Sequence, residues 1–271
     1  MRIGVRGHDY GCASPEEMAR RISEAGFCCF QLALHKAIDG VEPQYGFLNP
    51  GFCYSVKSAF ESRGLEVAVL GCYIDPASQD EERRQYDLKR FEEQVMYCRQ
   101  LGSNIVATET SRCAEEDRPK QYELLLDSVK RMAAQAEKFG VFVGIEPVLK
   151  HTLNTPALAG RLLSDIASPN LQIVLDPINL LSPQNIERQK DIIDECFDTF
   201  SDRIVAVHAK DVVIENGRFK PCVIGQGLFD HKYFYKKLNK IRPGISVLRE
   251  EAAPQTAHLD IAALKEYAQI S

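Results

Sequence analysis

The chain has 271 residues, of which 45% are hydrophobic and 26% charged, and its formal net charge is −5. That length accommodates one large α/β domain with a sizeable core, and the acidic balance offers no basic face to a nucleic-acid backbone. No apolar run approaches the roughly 18 residues of a membrane span. The opening M-R-I-G-V-R-G reads as a strand and not as a signal peptide. Nine cysteines occur in no C-x-x-C or other paired metal spacing, so they read as reduced, buried thiols. A cytoplasmic protein that engages neither nucleic acid nor membrane is therefore expected.

From the N-terminus onward, short β-branched runs alternate with amphipathic helical patterns. The first strand spans Arg2 to Arg6. S-P-E-E then opens a helix, with Ser14 as N-cap, Pro15 at the first helical position and Glu17 closing a capping box. The second strand, C-C-F-Q-L-A-L, leads into a loop from His35 to Pro50, long enough to suggest a substrate lid or an interface. The next helix stops at Gly64, and E-V-A-V-L-G-C-Y-I supplies strand three. Leu88, Phe91 and Val95 recur at helical spacing in the charged segment that follows.

Strand four is I-V-A-T-E-T, and its helix runs from Lys120 to Phe139. V-F-V-G-I-E is strand five, with Thr155 capping the helix after it. L-Q-I-V-L-D is strand six, followed by a helix from about Gln184 to Phe200. After strand seven, I-V-A-V-H-A-K, the Asn216-Gly217 pair marks a type I′ hairpin, and Asp230 caps the next helix. I-S-V-L-R-E is strand eight, and a terminal helix covers His258 to Ile270. Eight β/α units without a composition break predict a (β/α)8 TIM barrel, a single domain over residues 1–271 with a long loop after strand two and a β-hairpin after strand seven. An open doubly wound sheet is the rival, but no G-x-G-x-x-G follows the first strand.

Strands of a parallel barrel are buried on both faces, so a carboxylate within them needs a partner. Polar groups nevertheless recur at the C-terminal ends of the last four strands: Glu146 in V-G-I-E-P, Asp176 in V-L-D-P, His208 in V-A-V-H-A and Glu250 in V-L-R-E-E. Active sites of such barrels lie at that end. Singly, each has an ordinary reading: Asp176 could cap the turn opened by Pro177, and His208 could be a core histidine. Together, three converging carboxylates and an imidazole repel unless a divalent cation joins them. Oxygen ligands with one nitrogen suit Mn or Mg, with Co or Zn as alternatives. Period-two alternation leaves open whether Glu250 or Glu251 faces the barrel.

On I-E-P-V-L-K-H-T-L-N-T-P, V-L-D-P-I-N-L-L, V-H-A-K-D, I-G-Q-G-L-F-D and V-L-R-E-E, in that order, the chain resembles the xylose isomerase-like TIM-barrel superfamily, in its sugar phosphate isomerase/epimerase branch. The resemblance implies that Glu146, Asp176, His208 and Glu250 are metal ligands, and it favours Glu250 over Glu251. It also implies a small sugar or sugar-phosphate substrate. Its carbonyl and neighbouring hydroxyl would chelate the metal, which acidifies the α C–H bond. Glu146 and Glu250 would then move protons on opposite faces of the substrate, or one base would serve both steps in an aldose–ketose isomerisation.

His8, Glu109, Lys150, His151 and Lys210 are candidates to meet the substrate, with loop hydrogen bonding as the ordinary alternative for His8 and Glu109. Asp211 could pair with Lys210, and the glycines of I-G-Q-G could permit a tight turn or cradle a phosphate. Asn179 departs from a pattern in which relatives place a histidine three residues after the strand-six Asp, which argues for one metal. It also weighs against an apurinic endonuclease-like phosphodiesterase, since His35, His231 and His258 fall where solvent exposure is the default. Inosose dehydratase, hydroxypyruvate isomerase and a non-catalytic metabolite-binding barrel are the remaining alternatives. Self-association is left open, with the loop after strand two and the hairpin as contact surfaces.

Overall fold

The computed structural model describes residues 1–270. Short strands buried on both faces can satisfy their backbone groups only by pairing on both edges, and closing the sheet removes edges altogether. The chain does this with eight parallel strands: β1 (Arg2–Arg6), β2 (Cys29–Leu32), β3 (Glu66–Gly71), β4 (Ile105–Glu109), β5 (Phe142–Glu146), β6 (Leu171–Leu175), β7 (Ile204–Ala209) and, after an excursion, β10 (Ser246–Arg249). Their order around the barrel is β1-β10-β7-β6-β5-β4-β3-β2. The excursion is the antiparallel hairpin β8 (Val212–Glu215) and β9 (Arg218–Pro221). Asn216 (φ 51°) and Gly217 (φ 71°) both occupy the left-handed region that its type I′ turn demands.

Helices fill the outer layer: α1 (Pro15–Glu24), α2 (Leu34–Ala37), α3 (Pro50–Glu61), α4 (Glu81–Tyr97), α5 (Arg118–Phe139), α6 (Pro156–Ile166), α7 (Gln189–Phe200), α8 (His231–Ile241) and α9 (Ala257–Tyr267). Two cores result. Cys29, Ala68, Val69, Ala107, Val174, Ala206 and Leu248 plug the barrel interior, while larger residues such as Phe30, Phe60, Phe91 and Phe200 pack elsewhere in the main core. Side chains of Ser14, Asn49, Asp80, Thr155 and Asp230 cap the helices that follow them, each satisfying one backbone N–H that the helix leaves unpaired.

Several boundaries differ from the sequence reading. Glu17 does not close a capping box, because its carboxylate is spent on Arg20 and Arg21 one turn on. The stretch after β2 begins with α2, so His35 is helical, and Asn49 already caps α3. The loop between them is tied to α4: Gly46 and Leu48 donate backbone N–H groups to Glu93. The fifth helix begins at Arg118, two residues before the expected start, and a 3-10 turn over Ile186–Arg188 precedes α7. The nine cysteines are free thiols, and no helix of the described residues is long and apolar enough to cross a membrane.

Gly4 shows how tightly the barrel closes between β1 and its neighbours. A Cβ there would lie 2.7 Å from both the Cys29 Sγ and the Leu248 Cδ2, and would also meet the Cys29 carbonyl. Backbone on one side cannot yield, so Gly4→Ala is expected to cost about 2 kcal/mol or more. Urea unfolding measures this directly, and a loss under about 0.5 kcal/mol would mean that the barrel relaxes around the methyl group.

Candidate metal centre

The last four barrel strands in sequence each end in an ionisable residue at the same end of the barrel. Glu146 is the final residue of β5, His208 lies one short of the end of β7, and Asp176 and Glu250 directly follow β6 and β10. Pairing of Leu248 with His208 and of Glu109 with Glu146 fixes their height in the wall. All four are buried, and one ligand atom from each lies within 4.8 Å of the others. Donors held about 2.1 Å from a common ion are at most about 4.2 Å apart, so small side-chain adjustments suffice. Among the described residues no other set of His, Cys, Asp and Glu groups in this way.

The choice between Glu250 and Glu251 turns on one backbone angle. Glu251 adopts φ 57°, a left-handed conformation that turns the chain out of the barrel wall. Glu250 is consequently 2% exposed and faces the cluster, while Glu251 is exposed.

Burial on this scale leaves polar atoms stranded. Asp176 Oδ2, His208 Nδ1 and Glu250 Oε2 are buried without a hydrogen-bond partner, although each lies close to an opposite charge. Lys210 Nζ is 3.2 Å from Asp176 Oδ2 and 2.5 Å from Glu250 Oε2, and His208 Nδ1 is 3.1 Å from Glu146 Oε2. Arg6 meets the other Glu250 oxygen at 2.6 Å. Three carboxylates and an imidazole whose ligand atoms lie this close together fit a site for a divalent cation, which would take over the neutralisation that Lys210 now supplies.

Each remaining atom has a positioning partner. Asp176 Oδ1 accepts the backbone N–H groups of Ile178 and Asn179, so this residue both caps the turn and offers its second oxygen inward. Asn179 Nδ2 donates to Glu146 Oε1 at 2.6 Å, and its Oδ1 accepts from Lys210 at 2.9 Å. His208 Nε2 lies 2.6 Å from Gln31 Oε1. The Gln31 amide nitrogen lies 3.3 Å from the Tyr73 hydroxyl, so its carbonyl oxygen faces the imidazole and places the proton on Nε2. In the neutral ring this leaves Nδ1 as the ligating lone pair, the orienting arrangement common around metal-bound histidines.

The charges shift one another's proton affinity. Burial raises Asp176 to about 6. Burial alone would lower His208, but Glu146 and Glu250 outweigh it and raise the imidazole to about 9. Burial likewise opposes ionisation of Glu250, yet His208, Lys210 and Arg6 prevail and hold it well below the usual carboxylate range.

Around this cluster the other predicted residues divide. Lys210 is at its heart. Glu109 stands beside Glu146, and burial together with the Glu146 charge lifts its carboxyl to about 7. His151 Nδ1 approaches Glu109 at 3.8 Å. Burial, helped by Arg6, drops His8 to about 4, and its ring packs edge-on against Tyr73. Lys150 is exposed and lines a cleft of about 240 Å3 with Arg112, His151, Asn179, Lys210 and Glu251.

Three expectations fail. Asp211 does not pair with Lys210: its carboxylate accepts the backbone N–H groups of Val212, Gly225, Gly227 and Phe229. The I-G-Q-G turn is thus a cradle already filled by the protein's own anion and has no vacancy for phosphate. His231 is buried at 3% exposure, 3.2 Å from Asp211 and stacked on Tyr235 and Tyr267. Gln31, Arg6 and Tyr73 went unnoticed in the sequence; a glutamine in the middle of the apolar run C-C-F-Q-L-A-L was the available signal for the first.

A closed parallel barrel with a buried carboxylate–histidine cluster at the C-terminal mouth defines a class of TIM barrels. The chain belongs within it to the xylose isomerase-like TIM barrel family, whose sequence profile matches residues 19–267. Among solved structures it is similar to 3-keto-D-glucoside 4-epimerase, YcjR, from E. coli, with a TM-score of 0.75 at 21% identity over 98% of either chain. A D-tagatose 3-epimerase-like protein gives 0.80 at 19% identity, covering 100% of this chain and 98% of that one. A xylose isomerase-like TIM barrel protein from Mycobacterium smegmatis, in complex with magnesium, gives 0.77 at 13% identity over 99% and 96%. No functionally curated protein matches the sequence.

His208 above its ordinary 6.5 stabilises the metal-free fold fully below about pH 6.5, and that contribution is lost as pH rises through about 9. A cation must displace the same proton, so Mn affinity is expected to climb about tenfold per pH unit between about 7 and 8.5. Calorimetry in buffers of different ionisation enthalpy should find about one proton released per metal near pH 7.5. A pH-independent affinity would remove His208 from the ligand set.

Proposed function

We propose that this protein is a divalent-metal-dependent isomerase or epimerase that moves a proton at a sugar carbon beside a carbonyl. The observation that carries the reading is the placement of two buried carboxylates at the ends of the ligand arc. In the barrel order β10-β7-β6-β5, Glu250 and Glu146 flank His208 and Asp176. Mn or Mg suits three oxygen donors and one nitrogen better than Zn does. When bound, such an ion supplies Lewis acidity that polarises a chelated carbonyl and acidifies the adjacent C–H.

The chain's own residues would do the rest. Ionised Glu250, held so by Lys210 and Arg6, takes a proton from one face of the substrate. Glu146, oriented by Asn179, serves the opposite face. Glu109, with its affinity near neutrality, can hold or deliver a proton at a substrate oxygen. His151, Lys150 and Lys210, which line the cleft, meet polar groups of the substrate, and His8 would do so from beside Tyr73. The solved neighbours support this chemistry: two are 3-keto-D-glucoside 4-epimerase and a D-tagatose 3-epimerase-like protein, and the third is a complex with magnesium. A phosphodiesterase is disfavoured, because Asn179 spends its amide on Glu146 and Lys210 and brings no further metal ligand.

Incubating the Mn-loaded protein with ketoses, inososes and phosphosugars in D2O tests the reading. Deuterium is expected at the carbon next to the carbonyl of one compound. Glu146→Gln, which keeps an oxygen donor, should slow that exchange at least about a hundredfold, with metal content and Tm measured alongside. Exchange by the variant at the full rate would exclude Glu146 as a base. Absence of exchange across the whole panel would overturn the isomerase or epimerase reading.

A further inference from the structure

The cleft of about 240 Å3 beside the metal cluster is lined by Asn179 and Lys210, which themselves bond to Glu146, Asp176 and Glu250. Asn179 and Lys210 thus form a wall shared by the cleft and the cluster. Ligand sites commonly start at roughly 300 Å3, so this one suits a small metabolite. Its far wall carries two cations with no internal use. Neither Arg112 nor Lys150 makes an ion pair or side-chain hydrogen bond among the described residues, whereas the other arginines around the barrel mouth are engaged: Arg6 with Asp9 and Glu250, Arg118 with Glu115, Arg249 with Asp260.

Their position is built in by the loops that carry them. The segments after β4 and β5 pair as a short antiparallel bridge between Arg112 and His151. Cys113 donates its N–H to the Lys150 carbonyl, and Thr152 donates its N–H to the Ser111 carbonyl. Arg118 fastens the clip from behind by donating to the carbonyls of His151 and Thr152. Two loops that could diverge are held together, so that Arg112 and Lys150 line the same cleft. Apolar Val148, Ile178 and Phe219 line the same space and lower the local dielectric, which strengthens any ion pair made there. Glu251, the one carboxylate among the lining residues, is exposed on its left-handed turn.

We infer that the substrate carries an anionic group, phosphate or carboxylate, remote from its metal-chelated carbons, and that Arg112 and Lys150 bind it. The inference rests on the sugar isomerase or epimerase reading for the neutral part of the ligand. It makes Arg112 and Lys150 specificity-determining residues, with a planar two-pronged donor and a point charge acting on the same anion. Charge would select the anionic end of such a substrate, and chelation its carbonyl end.

Equilibrium binding to the Mn-loaded full chain tests this independently of turnover. The probes are D-fructose, D-fructose 6-phosphate and D-fructuronate, titrated against the wild type and an R112Q/K150Q double variant. At least one anionic probe is expected to bind ten times or more tightly than fructose, and the double variant should shrink that ratio to within about twofold. Which anion gains distinguishes phosphate from carboxylate. Equal affinity for neutral and anionic probes, or binding of none, would overturn the inference. So would an anion preference that survives in the double variant, since the metal alone would then be its source. Loss of isomerase activity in the D2O assay would leave this binding result standing, so the two readings fail separately.

Discussion

Lys210 Nζ sits 2.5 Å from Glu250 and 3.2 Å from Asp176, inside a barrel mouth where four ionisable side chains have surrendered their water. Three carboxylates there face three positive groups: Lys210, Arg6 and an imidazole whose proton is held by Glu146 and Glu250. Bare charges so close together would cost several kcal/mol each, so the mouth exists only because its charges cancel. That constraint governs the rest. It dictates why Asn179 and Gln31 turn their amides toward Glu146 and His208, and why Asp176 hands one oxygen to backbone N–H groups.

A dication would satisfy the same sum differently. Its two charges would take over the neutralisation that the imidazole proton and the Lys210 ammonium now supply, with Arg6 still on Glu250. The cluster and the cleft share two side chains, Asn179 and Lys210. Lys210 neutralises the cluster and also lines the cleft that holds Arg112 and Lys150. Loop pairing between Arg112 and His151 supplies the fixed wall, and barrel register supplies the fixed ligands. Asn179 and Lys210 belong to both.

Much of this was legible in the chain. Strand periodicity, helix caps at Ser14, Thr155 and Asp230, and the Asn216-Gly217 turn express local rules, so the barrel and its hairpin could be read directly. The four cluster residues were visible because a charge at the end of an apolar run violates burial. Other features depended on tertiary geometry. Glu250 and Glu251 differ by a left-handed turn that alternation cannot foresee. Asp211 looked like a partner for its neighbour Lys210, but a loop fourteen to eighteen residues on supplies its backbone donors. His231 sits in a helical pattern that suggested exposure, yet Tyr235 and Tyr267 enclose it from two helices. Glu17 met the spacing rule for a capping box and was outbid by two arginines.

The central claim is that Glu146, Asp176, His208 and Glu250 hold one divalent cation. Electron paramagnetic resonance on protein titrated with Mn tests it most directly, because it counts bound ions and senses a ligating nitrogen. About one tightly bound Mn per chain is expected, with a histidine nitrogen coupling that disappears in His208→Gln and binding that weakens strongly in Asp176→Asn. Free Mn throughout the titration, or bound Mn with an unchanged nitrogen signal in the His208 variant, would contradict the account.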